Sequence, residues 1–98
     1  MSKDKIEIEN AASPGHTQRV DRVKFTAMRD ALLSVLPDEP PGMKVDDAKA
    51  ALVPKLPDDL FPGGAKAGWW LKAAQLDLEA KGIISRAHKP PVRLYRVK

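Results

Sequence analysis

The C-terminal third of the chain most constrains the fold, because it joins one long helical pattern to a hairpin pattern. Apolar residues recur at helical spacing up to Lys81, and Gly82 follows where a left-handed residue commonly ends a helix. Two short apolar runs then flank a Lys89-Pro90-Pro91 tip. The sequence therefore predicts a third helix and two strands, at Ala65–Lys81, Ile83–Ala87 and Val92–Val97.

Two shorter helical patterns precede this stretch. Asp21 is a suitable N-cap for a first helix over Arg22–Val35, which Pro37 would stop. Asp46 is a suitable N-cap for a second helix over Asp47–Leu56, which Pro54 should kink or end early. Between the two helices, Met43–Val45 can form a short strand.

The N-terminal segment carries a weaker pattern. Ile6 and Ile8 alternate with charged residues inside Lys3–Asn10, which is typical of a short strand or of a flexible tail. Ala11–Arg19 contains Ser-Pro-Gly and is expected to be a loop. We accordingly divide the chain into an N-terminal extension at residues 1–20 and a domain at residues 21–98.

The order of these elements resembles a winged helix-turn-helix. Within it, Leu78-Glu79-Ala80-Lys81-Gly82-Ile83-Ile84 resembles the passage from recognition helix to wing in many bacterial regulators. The resemblance implies an α+β fold of three helices and a C-terminal β-hairpin wing, with or without an added N-terminal strand. The stretch PGGAKAGWWLKAAQLDLEAKG, with Ser13-Pro14-Gly15 and Arg29-Asp30-Ala31-Leu32, is also similar to a family of small uncharacterised bacterial proteins. That similarity implies a single bacterial domain of unknown function.

The positive charge is concentrated at the C-terminus. The 18 residues from Lys81 onward hold six of the 17 cations and none of the 13 carboxylates, whereas residues 1–80 have a net charge of 11 − 13 = −2. Such segregation favours a surface that faces a polyanion. The alternative is a terminal hairpin that Lys and Arg simply keep solvated and protect from edge-to-edge pairing.

The winged-helix resemblance implies that helix three enters the major groove of duplex DNA while the wing follows the backbone. The candidate nucleic-acid-binding residues are therefore cations of these two elements: Lys66, Lys72, Arg86, Lys89, Arg93 and Arg96. The exposed face of helix three departs from that pattern, because Trp69 and Leu76 read bases poorly and Asp77 would repel phosphate.

Trp69, Ala73 and Leu76 form a second apolar face on helix three, besides the face that Trp70 and Leu71 turn to the core. Three interpretations fit this second face. The Ile6/Ile8 strand covers it, a protein partner or a second copy of the chain binds it, or it contacts DNA through shape and backbone. Trp69, Ala73 and Leu76 are thus candidate partner-binding residues in a protein-interaction module that needs no nucleic acid.

Composition argues against several other classes. The chain has no cysteine, and its two histidines, His16 and His88, lie far apart, so we expect no structural zinc. Three acid pairs are expected to serve as helix caps or solvated surface, at Asp46/Asp47, Asp58/Asp59 and Asp77/Glu79. We expect no enzyme activity, no cofactor and no small-molecule substrate. Without a signal peptide or transmembrane run, we expect a cytoplasmic protein that does not bind membranes.

Overall fold

The computed structural model of the chain describes residues 4–87 and 89–97, and this part is a mixed α+β domain. It contains three α-helices and five β-strands in two antiparallel sheets. The elements, in chain order, are β1 (Lys5–Glu9), β2 (Thr17–Asp21), α1 (Arg22–Val35), β3 (Met43–Lys44), α2 (Val45–Leu52), α3 (Ala67–Ala80), β4 (Ile84–Arg86) and β5 (Arg93–Arg96).

Strands β1 and β2 form an N-terminal hairpin. Ile6 lies opposite Val20, and Ile8 lies opposite Gln18, so one face of the hairpin carries all three aliphatic residues. Ile8 and Val20 are buried in the main core. The strand alternative for the N-terminal segment is thus confirmed. The loop predicted over Ala11–Arg19 was too long, because the backbone from Thr17 onward pairs with β1.

Helix α1 has the predicted bounds. The Asp21 side chain accepts a hydrogen bond from the backbone N–H of Lys24 at 3.0 Å, which confirms the predicted N-cap. The helix ends at Val35, and Leu36 is extended as expected of a residue that precedes proline. Its buried side chains, which face α2 and α3, are Phe25, Met28, Ala31 and Leu32.

Helix α2 starts earlier than predicted. It begins at Val45, so Asp46 is not its N-cap; Asp46 and Asp47 lie in the first turn, where carboxylates favour the positive end of the helix dipole. The strand before it is correspondingly short, at Met43–Lys44. Helix α2 ends at Leu52, and a 3₁₀ turn over Val53–Lys55 contains Pro54, the expected helix breaker.

Helix α3 is shorter than predicted at both ends. Lys66 has a left-handed backbone (φ 58°), so the helix starts at Ala67 and not at Ala65. It ends at Ala80, and Gly82 adopts a φ of 72° while the Ile83 N–H bonds the Leu78 carbonyl at 2.9 Å. Gly82 therefore ends the helix as predicted and turns the chain into β4.

Strands β4 and β5 form a C-terminal hairpin, and β3 pairs with the free edge of β5, giving the sheet order β3-β5-β4. Both hairpin strands are shorter than predicted. Gly42, at φ 92°, passes so close to β5 that a Cβ there would overlap the Leu94 carbonyl. Met43, Leu94 and Ile84 face the core, and alternation along the strands sends Lys44, Arg93 and Tyr95 to the opposite face.

A continuous core joins the three helices to both sheets. Phe61, from the turn that follows α2, is buried and meets Trp70 of α3 edge to face, with ring centroids 6.3 Å apart. The N-terminal hairpin adds Ile8 and Val20 to this core, so it packs against α3.

Candidate functional site

The N-terminal hairpin leaves part of α3 uncovered. The Ala11 N–H donates a hydrogen bond to the Leu76 carbonyl at 3.2 Å, and the Glu9 N–H donates to Asp77 Oδ1 at 2.8 Å. These bonds hold the end of β1 and the following turn against the C-terminal half of α3. The N-terminal half stays open: Trp69 is 50% exposed, although its neighbour Trp70 is only 9% exposed.

Asp77 is buried, which corrects the expectation that it lies on the helix surface. Besides the Glu9 N–H, its carboxylate binds the Lys81 ammonium group at 2.8 Å. A buried carboxylate is stable when such partners satisfy it. Asp77 therefore has a structural role, because it holds the N-terminal hairpin on α3. Since it is buried, it does not present its charge to a ligand.

A cleft of about 190 Å³ lies between the N-terminal hairpin and α3. Its apolar lining consists of Ile8, Trp69, Ala73 and Leu76; its polar lining consists of Glu9, Asn10, His16, Thr17, Gln18 and Lys72. Pockets for whole cofactors or drug-sized ligands usually measure roughly 300–1,000 Å³. The cleft is therefore suited to one side chain or one flat ring. It unites the three predicted partner-binding residues with Lys72.

Three exposed lysines lie around the N-terminal half of α3, where Trp69 is half exposed. Lys66 is the N-cap of α3, and Lys72 follows Trp69 by three residues, so Lys72 is its neighbour on the helix surface. Lys49 comes from α2: a Cβ added to Gly68 would lie 3.3 Å from the Lys49 ammonium nitrogen. None of the ion pairs within residues 4–87 and 89–97 involves these lysines. We call Lys49, Lys66 and Lys72 the lysine cluster.

Two of the predicted hairpin cations, Arg86 and Arg96, form hydrogen bonds within the chain. Arg86 donates from Nε and Nη2 to the two carboxylate oxygens of Glu79, at 2.7 and 2.8 Å. Burial raises the pKa of Glu79, but hydrogen bonds from Arg86 and Gln75, together with nearby positive charge, hold this pKa below its ordinary value. Arg96 donates from Nε to the Leu36 carbonyl at 3.1 Å, so it ties β5 to the end of α1.

The other two predicted hairpin cations face outward. Arg93 lies directly opposite Lys44 on the outer face of the sheet, and Lys89 is exposed at the hairpin tip. Like charges placed opposite one another across two strands repel. The six predicted cations thus separate into three pairs: Lys66 at the N-cap of α3 with Lys72 on α3, Lys89 and Arg93 on the outer side of the C-terminal hairpin, and Arg86 and Arg96 in intramolecular contacts. His88 and Lys98 lie outside the described residues.

A model of a family of unknown function (DUF6958) matches residues 5–94. The chain belongs to this family. The match runs from the first residue of β1 into β5, so the DUF6958 region includes the cleft and the lysine cluster. No curated protein and no solved structure matches the chain.

The DUF6958 chain shows no metal-binding group of three or more His, Cys, Asp or Glu side chains in its described part. Among these same residues, no helix combines the length and the apolar character that crossing a membrane requires. Lys49 is the residue of the lysine cluster that sequence reasoning missed. Its place beside Gly68 depends on how α2 packs on α3, and no local pattern indicates it.

Proposed function

We propose that this DUF6958 protein is a winged-helix domain that binds the phosphate backbone of nucleic acid without reading base sequence through α3. The element order α1-β3-α2-α3-β4-β5 and the sheet order β3-β5-β4 support the fold assignment, with the C-terminal hairpin as the wing. The proposed partner class includes duplex DNA.

The observation that carries the proposal is the lysine cluster around the N-terminal half of α3. Its members are exposed, and α3 has no carboxylate before Asp77, which is buried. Three ammonium groups that form no ion pair among the described residues attract phosphate in a way that depends on salt and not on sequence. The net charge of +4 also attracts a polyanion, at longer range.

The N-terminal hairpin argues against base reading by α3. A recognition helix needs a free outer face to enter the major groove, but the turn after β1 bonds to Leu76 at this face. Of the outward residues that remain, Trp69 is apolar and Lys72 has one flexible ammonium group. Contacts from this helix are therefore expected to go to phosphates.

The wing would add a second point of backbone contact. Lys44 and Arg93 repel each other across β3 and β5, and a phosphate between them would relieve this repulsion. Lys89 at the tip can reach a neighbouring phosphate because it is exposed. Arg86 contributes less than the sequence suggested, since Glu79 neutralises it.

Binding of a labelled random-sequence DNA duplex, measured by fluorescence anisotropy across a salt series, tests this proposal. The variant Lys49→Ala/Lys66→Ala/Lys72→Ala should lower the affinity and reduce the slope of log K against log salt by about 2–3. The matched control Lys5→Ala/Arg19→Ala/Lys24→Ala removes the same charge from the outer side of the N-terminal hairpin and from α1. The proposal fails if the native protein does not bind at low salt, or if the control loses as much affinity as the cluster variant.

A second candidate function is protein interaction, which the half-exposed indole of Trp69 beside Ala73 and Leu76 favours. A two-fold homodimer through this face would bring the lysine clusters of the two subunits close together. Their mutual repulsion opposes self-association. Sedimentation velocity over a range of concentrations tests this candidate. A dimer that Trp69→Ala abolishes would favour it, whereas a monomer at all concentrations leaves only a different protein as partner.

A further inference from the structure

We infer that the cleft between the N-terminal hairpin and α3 receives one unpaired base of a single-stranded nucleic acid, stacked against Trp69. This inference rests on the proposed function and specifies the ligand of the same region. Single strands are commonly bound by a positive surface that follows the backbone and by aromatic side chains that stack on bases.

The cleft has the size and lining that a base requires. Its volume of about 190 Å³ admits one flat ring, and Trp69 is part of its lining. The indole is 50% exposed, so part of its surface is available for stacking. Ile8, Ala73 and Leu76 provide apolar contacts beside the indole. The hydrophobic surfaces of the cleft thus match the faces of a base.

Polar groups at the rim match the edge of a base. Asn10 uses its side-chain oxygen to accept a hydrogen bond from the Ala12 N–H at 2.8 Å, so its amide nitrogen remains a donor. Gln18 lies opposite Ile8 in the hairpin register and therefore stands on the cleft side of β2. Amide side chains can both donate to and accept from base edges.

The charges around the cleft separate the base from the phosphates. Lys72 lines the cleft, while Lys66 and Lys49 lie near the start of α3, at its N-cap and beside Gly68. Glu9 is the one carboxylate among the described residues that line the cleft. It disfavours a phosphate inside and tolerates an uncharged base. The strand is expected to place a base in the cleft and its phosphates along the lysine cluster.

A duplex cannot use this cleft in the same way. A base within a duplex is stacked on both faces and paired at its edge, so it must leave the stack before it can enter a recess. The N-terminal hairpin forms one wall of the cleft, which admits one flat ring. The structure therefore favours an unpaired base, and an acidic peptide with one apolar side chain is the competing occupant.

Four labelled or unlabelled probes distinguish these occupants by fluorescence anisotropy and competition. They are an oligothymidylate of about 12 nucleotides, an abasic strand of equal length, a duplex of equal length, and a glutamate-rich peptide with one leucine; the length lies inside the roughly 4–16 nucleotide range of such sites. The oligothymidylate should bind at least about tenfold more tightly than the abasic strand, because stacking adds to the phosphate contacts.

Trp69→Ala should weaken oligothymidylate binding by about 5- to 100-fold and change abasic-strand and duplex binding by less than about twofold. Trp69→Phe should recover part of the loss, since it keeps an aromatic face. Gln18→Ala, at an exposed rim position, should weaken oligothymidylate binding by about 2- to 10-fold without the risk of disturbing α3.

Equal binding of the oligothymidylate and the abasic strand would overturn the inference, as would an unchanged Trp69→Ala variant. If the lysine-cluster variant still loses duplex binding in that case, the proposed function stands and only the assignment of the cleft fails. If no nucleic acid binds at all, both fail. If the peptide alone binds and Trp69→Ala abolishes its binding, the cleft is a protein-docking site.

Discussion

The backbone N–H of Glu9, at the end of β1, donates a 2.8 Å hydrogen bond to the buried carboxylate of Asp77 in α3. The two residues are 68 positions apart, so this bond closes the domain from its first strand to its last helix. Asp77 also binds Lys81 one helical turn away. The position of the N-terminal hairpin, and hence the shape of the cleft, depends on this carboxylate.

Replacing Asp77 should therefore loosen the N-terminal hairpin. Asp77→Ala leaves the Glu9 N–H without its acceptor and should lower the free energy of unfolding by about 2–3 kcal/mol. Asp77→Asn keeps an acceptor oxygen and should cost about 1 kcal/mol. Urea denaturation measures both changes. In the Asp77→Ala variant, amide hydrogen exchange should also become faster in Lys5–Asp21 than in the rest of the domain. Equal stabilities of the native protein and Asp77→Ala would contradict this role.

The hairpin also illustrates where sequence reasoning stops. Ile6 and Ile8 alternate with charges, so the first strand could be predicted from the sequence. The second strand, Thr17–Asp21, has Val20 as its one aliphatic residue, and its structure depends on pairing with β1 and on contact with α1. When a strand depends on contacts with other elements, the local sequence carries no pattern that predicts it. The burial of Asp77 was missed for the same reason, because its partner Glu9 belongs to the hairpin.

The adjacent tryptophans should respond very differently to substitution. Trp70 is buried against Phe61, so Trp70→Ala should lower the free energy of unfolding by about 3–5 kcal/mol. Trp69 is half exposed, and Trp69→Ala should cost about 1 kcal/mol or less. Thermal or urea unfolding followed by circular dichroism measures both. Similar costs for the two variants would mean that Trp69 is as much part of the core as Trp70.

The accessibility of the two indoles gives an independent check in the native fold. Trp70→Phe retains an aromatic ring beside Phe61 and leaves Trp69 as the fluorescent tryptophan. Acrylamide should quench this variant strongly, because half of the indole is exposed. The Trp69→Phe variant, in which Trp70 remains, should be quenched weakly. The reverse order would contradict the arrangement of α3.

Helix positions could be predicted better than the charged surface. Periodicity and turn residues indicated α1 with its bounds and α3 to within two residues at its start, because both signals are local. The state of each cation is set by tertiary contacts. Arg86 and Arg93 are both hairpin arginines in the sequence, yet Arg86 pairs with Glu79 whereas Arg93 faces Lys44. The sequence therefore indicates a basic hairpin without showing which of its charges remain available.

Gly42 should be the glycine least tolerant of substitution at the three-stranded sheet. A Cβ at this position would overlap the Leu94 carbonyl, so Gly42→Ala must shift β3 or β5 and should cost about 2–4 kcal/mol. Gly15→Ala is the matched control, because Gly15 also has a positive φ but no atom lies near its added Cβ. It should cost about 1–2 kcal/mol. Urea denaturation of both variants measures the two losses in free energy of unfolding, and the difference between them is the cost of the overlap with Leu94.

The pairing of Glu79 with Arg86 predicts a pH-dependent contribution to stability. The pKa of Glu79 is lower in the folded chain than its ordinary value of about 4.3. The ion pair therefore stabilises the fold fully at pH values above this ordinary pKa, and the stabilisation is lost as the pH falls through the lowered pKa. Glu79→Gln should cost about 1 kcal/mol near neutral pH, since solvent screens the half-exposed Arg86. The stability difference from the native protein should shrink below about pH 4. A difference independent of pH would contradict this origin.

The same substitution should strengthen nucleic-acid binding even though it weakens the fold. Glu79→Gln removes a negative charge beside Lys72 and releases Arg86 from a two-point ion pair. Under the proposed function, affinity for a random DNA duplex at low salt should rise by about two- to fivefold, with a salt slope steeper by up to about 1. Asp30→Asn, which also removes one carboxylate but lies on α1 beside Arg29, is the matched control. A gain of equal size in both variants would show that net charge alone governs binding, whereas a gain confined to Glu79→Gln assigns the surface around Lys72 and Arg86 to phosphate binding.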